Sequence, residues 1–107
     1  MKILYAPINP DQLLPAHTSH YQIDGGNMYV TVVMNSEAYG YWSAVLVVEH
    51  NDSPMTVEQY DGMHNDVPKH LGELVCRNWV ASKLNSLAAR WKDQDGPAVT
   101  IALMEGV

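Results

Sequence analysis

Residues 66–92 have the apolar spacing of one long helix, while most of the other segments have the composition of strands and turns. Asp66 is the predicted N-cap, Pro68 lies in the predicted first turn, and the Asp, Gln, Gly and Pro residues of 93–97 are expected to end the helix. A single helix among several strands has to cover the sheet that those strands form, and the predicted class is therefore α+β.

Three segments before the helix predict an antiparallel meander. Residues 28–34 and 41–50 are rich in β-branched and aromatic side chains, and residues 56–60 form a more polar outer strand. Both apolar strands are apolar at odd and even positions, which predicts a sheet that is partly covered on both faces. A last strand at residues 98–104 follows the helix, so the predicted order is β-β-β-α-β, with the helix packed on one face.

The N-terminal part is predicted to belong to the same single domain of 107 residues. Residues 2–6 resemble a short edge strand, and residues 8–26 form a connector punctuated by Pro, Asp and Gly. The domain therefore divides into an N-terminal strand and connector at 1–26, which packs on the core, and the β-β-β-α-β unit at 27–107.

Several features favour a cytoplasmic location. The first ten residues meet proline and asparagine too soon to form the apolar segment of a signal peptide, and no apolar run is long enough to span a membrane. Cys76 is the only cysteine, which excludes an internal disulfide and fits a reducing compartment. Its position on the helix predicts a small buried hydrophobic residue rather than a reactive thiol.

The net charge of −6 is divided unevenly along the chain. From residue 3 to residue 68 there is no Lys or Arg, whereas there are eight acids: Asp11, Asp24, Glu37, Glu49, Asp52, Glu58, Asp61 and Asp66. From residue 69 to residue 92 there are five bases and one acid, Glu73. This charge distribution argues against direct binding of nucleic acid. It favours either a partner protein with a basic surface or acidic side chains that only keep the protein soluble.

The predicted helix has one main apolar stripe that is expected to face the sheet: Cys76, Val80, Leu84, Leu87, Ala88 and Trp91. Extending the stripe back by one turn puts Glu73 close to its centre line, where an unpaired charge would be costly. Two interpretations follow. Glu73 pairs with Arg77 four residues later at the rim of the core, or it points into a functional site.

A second stripe of Leu71, Val75 and Trp79 lies about half a turn from the first. A helix that is apolar on only one side would be polar there, so something is expected to cover it. The candidates are a second copy of the chain, another protein, or the N-terminal connector through Leu13, Leu14 and Tyr21.

Histidines do not make a convincing metal site in this sequence. His17 and His20 are three residues apart in a proline-containing segment, and His64 and His70 flank the helix start, but no second ligand pair has a recognised spacing. No phosphate-binding glycine loop or nucleophile motif is present. No metal and no cofactor are therefore predicted.

The order of the hairpin, third strand, helix with an early Glu and final strand resembles the first half of the ribonuclease H fold. The resemblance covers about residues 28–106. It implies a divalent-metal site built from Asn35 in VVMNSEA, Glu73 in HLGELVCRNW and Glu105 in IALMEGV. Asn35 stands where the family has an aspartate and cannot supply its charge, and two-metal chemistry needs several converging carboxylates. The resemblance therefore implies a scaffold without catalytic activity, with a metal-dependent nuclease domain as the alternative.

The sequence as a whole favours a small, acidic, non-enzymatic interaction protein that binds a basic surface of a protein partner. By size and charge it is similar to inhibitors or adaptors of the phage or mobile-element type. The predicted contact residues are Glu37, Tyr39, Tyr41, Glu49, Asp52, Glu58, Asp61, Leu71, Val75 and Trp79. A second alternative is a structural subunit that forms a homodimer through the stripe of Leu71, Val75 and Trp79.

Overall fold

The computed structural model describes residues 2–13, 18–23, 28–36, 41–50, 53–64, 67–95 and 100–104. These residues form six strands and one long helix. The strands are β1 (Lys2–Tyr5), β2 (Thr18–Ile23), β3 (Met28–Ser36), β4 (Trp42–His50), β5 (Ser53–Asp61) and β6 (Thr100–Met104). The helix α1 (Gly72–Asp95) has 24 residues, and short 3-10 turns lie at Pro10–Gln12 and Lys69–Leu71.

The six strands form one sheet in the order β1-β6-β2-β3-β4-β5, and every neighbouring pair is antiparallel. The class α+β and the meander of β3, β4 and β5 are confirmed. Strand β6 follows the helix and lies between β1 and β2, so the helix returns the chain to the far side of the sheet. Because β6 is antiparallel to both neighbours, α1 does not connect two adjacent parallel strands.

The N-terminal connector predicted at residues 8–26 contains a strand that the sequence prediction missed. Strand β2 has the strict alternation of a half-buried strand, with Ser19, Tyr21 and Ile23 buried. It is short and carries Thr, Ser, His and Gln, so its composition resembles a loop. Strand β2 is stabilised by backbone hydrogen bonds to β3 on one side and to β6 on the other, and the local sequence does not predict this pairing.

The helix begins later than predicted. A 3-10 turn occupies Lys69–Leu71, and α1 then runs from Gly72 to Asp95, three residues past the predicted end. The predicted N-cap, Asp66, lies outside the described residues. None of the helices in the described ranges is long and apolar enough to cross a membrane.

The core lies between α1 and one face of the sheet. Alternate residues of β3 and β4 are buried there, including Val30, Val32 and Leu46. They lie on the same face as the buried residues of β2 because paired positions in an antiparallel sheet share a face. From the helix, Cys76, Val80 and Leu84 are completely buried, as the main apolar stripe predicts.

The N-terminal segment is attached to the helix by polar contacts. The Asn85 side chain accepts a hydrogen bond from the Ile8 backbone N–H at 2.7 Å and donates one to the Ile8 carbonyl at 3.0 Å. Arg77 Nη1 donates to the Leu13 carbonyl at 2.9 Å. Since Ile8 and Leu13 are buried, this segment forms part of the core.

Candidate protein-interaction surface

Glu73 lies at the rim of the core, where it pairs with Arg77. Glu73 Oε1 is 3.3 Å from Arg77 Nε, and the Glu73 side chain is 51% exposed. Arg77 also donates to the Pro10 and Leu13 carbonyls, at 3.4 and 2.9 Å. The arrangement matches the first of the two interpretations of Glu73. Arg77 links the helix to the N-terminal segment, and the carboxylate of Glu73 balances the positive charge of Arg77.

The second apolar stripe of the helix is partly covered by strand β5. Val75 and Trp79 pack against the core, and the Trp79 and Tyr60 rings are 5.6 Å apart between centroids. Lys83 Nζ lies 5.5 Å from the centroid of the Trp79 ring and 3.2 Å from Glu58 Oε1. Tyr60 and Glu58 belong to β5, so this strand, together with Lys83, surrounds Trp79. The sequence suggested the N-terminal connector or another chain instead.

The three residues suggested by the ribonuclease H resemblance are not brought together within the described structure. Met34 is buried on the helix side of β3, and the next residue, Asn35, therefore lies on the opposite face of the sheet from Glu73. Glu105 is outside the described residues. Among those that are described, no group of three or more His, Cys, Asp or Glu side chains could hold a metal ion.

The face of the sheet opposite the helix is covered by no element in the described part of the chain. We call it the open face. The register puts the following residues of β2 to β5 on it: His20, Gln22, Tyr29, Thr31, Val33, Val45, Val47, Val57 and Gln59. Met55, two residues before Val57 in β5, lies next to them. Its centre is apolar, because valines from β3, β4 and β5 lie side by side.

Several large apolar side chains of the open face are exposed. Tyr29, Met55 and Val57 have relative exposures of 48%, 59% and 54%. Exposed apolar side chains grouped on one face are a feature of many sites that bind another molecule.

The charges on the open face are negative. Glu49 is exposed near the end of β4, and Asp61 is exposed at the end of β5. The register pairs Glu49 with Tyr29 and Asp61 with Ser43, so the two carboxylates mark opposite ends of the apolar centre. No Lys or Arg occurs in the described residues of β2 to β6, because the basic residues other than Lys2 are in the 3-10 turn and α1.

The predicted contact residues have different environments. Glu58 pairs with Lys83 on the helix side, and Tyr41 is half-buried just before β4. Asp61 Oδ1 accepts hydrogen bonds from the Met63 and His64 backbone N–H groups, at 3.0 and 3.4 Å. Leu71 is 38% exposed. Three predicted contact residues lie outside the described ranges: Glu37, Tyr39 and Asp52.

The structure places on the open face several residues that the sequence analysis did not single out. Tyr29, Val45, Val47 and Val57 lie on the open face with Glu49 and Asp61. A signal for them was present, since both central strands carry apolar residues at odd and even positions and the described part of the chain has one long helix. One helix can cover only one face of a sheet, so the second apolar face needed another explanation.

Burial perturbs two titratable groups, Cys76 in α1 and Tyr60 in β5. Burial raises the pKa of the Cys76 thiol to about 11; Arg77 lowers it, and Glu73 raises it further. Burial, followed by the charges of Cys76 and Asp61, raises the pKa of the Tyr60 phenol. Both groups are neutral near pH 7, which fits packing roles and does not make Cys76 a reactive nucleophile.

Comparison with known proteins found no family model, no curated protein and no solved structure that matches this chain.

Proposed function

We propose that this protein is a non-enzymatic interaction module whose open face binds a basic segment or surface of another protein. The observation that carries the proposal is the combination of exposed apolar side chains with carboxylates at both ends and no Lys or Arg in the described residues of β2 to β6. An inhibitor or adaptor acts in this way, because it covers a surface that its target otherwise uses to bind another molecule.

The chemistry of the open face favours a partner that is both apolar and positively charged. Burial of the valines and of Tyr29 supplies most of the binding free energy, because apolar burial contributes roughly 25 cal/mol per Å² before the costs of association. Glu49 and Asp61 contribute orientation and a faster association rate. A strongly acidic partner would be repelled by both carboxylates and by the net charge of −6.

A calorimetric titration with a model ligand tests the proposal. The ligand is a peptide of alternating lysine and valine, about nine residues long to match β5. The control ligand replaces each lysine with glutamate. We expect the lysine peptide to bind, the glutamate peptide not to bind, and the affinity for the lysine peptide to fall when salt rises from about 0.05 M to about 0.5 M.

Matched variants then locate the binding site. Val57→Lys puts a positive charge on the open face at a side chain that is already 54% exposed, so the fold can accommodate it. Ser82→Lys makes the same charge change at an exposed position of α1. We expect Val57→Lys to weaken binding about tenfold or more and Ser82→Lys to change it by less than about threefold. Absence of binding by the lysine peptide, or equal effects of the two variants, contradicts the proposal.

A further inference from the structure

Strand β5 is an edge of the sheet, and its outer side is unpaired within the described part of the chain. It has nine residues, whereas the opposite edge strand, β1, has four. From Met55 to Asp61 it contains no proline, so each residue carries a backbone N–H. A long edge strand of this kind can pair with a further strand.

One hydrogen bond identifies which residues of β5 point their backbone groups outward. The Gly62 N–H donates to the Trp42 carbonyl at 2.9 Å, and these two residues continue the register in which Asp61 is opposite Ser43. In an antiparallel ladder, hydrogen-bonded and non-hydrogen-bonded pairs alternate. Because Gly62 is in a hydrogen-bonded pair, every second residue before it, at positions 60, 58 and 56, also bonds to β4. Val57 and Gln59 therefore direct their N–H and C=O groups away from it.

The outward residues are also residues of the open face. Val57 and Gln59 are opposite Val47 and Val45, so a strand added beside them would extend the apolar centre of that face. Every second side chain of the added strand would lie on the open face. The others would lie on the helix side, beside Glu58.

We infer that the partner contributes an extended basic segment that pairs with β5 as a seventh strand, an inference that rests on the proposed function. Charge selects this occupant over a second copy of the chain. Asp61 is exposed at the end of β5, Glu58 of β5 already pairs with Lys83, no Lys or Arg occurs in the described residues of β2 to β6, and two copies would each carry a net charge of −6. Backbone pairing supplies affinity, and the alternating lysine and apolar side chains supply specificity.

Amide hydrogen exchange with the lysine–valine peptide tests this inference in the wild-type protein. The amides of Val57 and Gln59 face outward in the free protein, whereas those of Thr56 and Glu58 already bond to β4. We expect saturating peptide to slow exchange at Val57 and Gln59 by about tenfold or more, with a smaller change at Thr56 and Glu58.

A backbone variant provides the second measurement. Gln59→Pro removes an outward N–H at an edge position where proline is tolerated, and Gln59→Ala changes the side chain but keeps that N–H. We expect the proline variant to bind the peptide about tenfold more weakly than the alanine variant, and circular dichroism to report the same folded signal for both.

The outcomes separate this inference from the proposed function. Peptide binding without slower exchange at Val57 and Gln59 would overturn strand addition and leave docking on the open face intact. No binding of the peptide would overturn both. Slower exchange at these amides without peptide, together with a doubled mass in solution, would identify a second copy as the occupant and overturn the basic segment.

Discussion

The side chain of Asn85 holds both backbone polar groups of Ile8, a residue 77 positions earlier in the chain. This pair of hydrogen bonds imitates the pairing of one strand with another and attaches the N-terminal segment to the exposed flank of α1. Ile8 is buried beneath the contact, where a backbone polar group needs a hydrogen-bond partner, and Asn85 supplies one to each of the two groups.

Asn85→Ala is expected to destabilise the protein by about 1–3 kcal/mol, because it leaves the N–H and the C=O of Ile8 without their partners. Asn78→Ala is the matched control, since Asn78 is exposed on the same helix. Urea unfolding followed by circular dichroism measures both. An equal effect of the two substitutions would mean that the Ile8 contact contributes little.

Gly62→Ala is expected to destabilise the fold by about 1–3 kcal/mol. A Cβ atom at this position would lie 2.8 Å from the Trp42 carbonyl oxygen, the acceptor of the Gly62 N–H. Relief of that contact has to move the end of β5 away from β4. Met63→Ala, at an exposed neighbouring residue, is the control, and a thermal melt of Gly62→Ala that coincides with the wild type would refute the prediction.

Stability is expected to fall as the pH rises from about 9 to about 11. The Cys76 thiol has an ordinary pKa of 9.0, and burial raises its pKa to about 11 in the folded protein. The folded state therefore retains a proton that the unfolded state has lost, which favours unfolding as the pH rises through this window. The raised pKa of Tyr60 acts in the same direction at higher pH.

Unfolding free energies measured across this pH range check the effect. Cys76→Ala removes the thiol, and the part of the pH dependence between about 9 and about 11 should decrease in that variant. Thiol labelling gives an independent measurement, because the buried neutral thiol should react slowly at neutral pH and rapidly once the protein is unfolded. Fast labelling of the native protein would contradict the buried position.

Trp79→Ala is expected to destabilise the protein by about 2 kcal/mol, since it removes a half-buried ring that contacts Tyr60 and Lys83. Leu74→Ala, at a side chain that is 54% exposed on the same helix, should have a much smaller effect. If Trp79 were instead an anchor for a partner, its removal would weaken binding of the lysine–valine peptide without lowering the melting temperature. Measuring both quantities separates the two roles.

The long helix and the central meander could be predicted from sequence because their signals are local. Apolar spacing places Cys76, Val80 and Leu84 on one side of α1, and β-branched runs mark β3 and β4. The pairing of Glu73 with Arg77 was one of two interpretations that the sequence left open, and its i,i+4 spacing allowed it.

Strand β2 and the position of β6 could not be predicted in the same way. The hydrogen bonds of β2 come from β3 and β6, and β6 is far from it in sequence, so nothing in its polar composition indicates a central strand. The open face had a sequence signal in the valines of β3 and β4. The extent of the open face could not be predicted without knowing that α1 covers only the opposite face of the sheet.

Mapping the peptide-binding site by nuclear magnetic resonance tests the central claim most directly. The protein, labelled at methyl and amide groups, is titrated with the lysine–valine peptide. The predicted result is that the methyl signals of Val45, Val47 and Val57 shift together, while the exposed Leu71 and Leu74 of the helix side do not. Shifts confined to Leu71, Leu74 and their neighbours would place the interaction on the helix side and contradict the account.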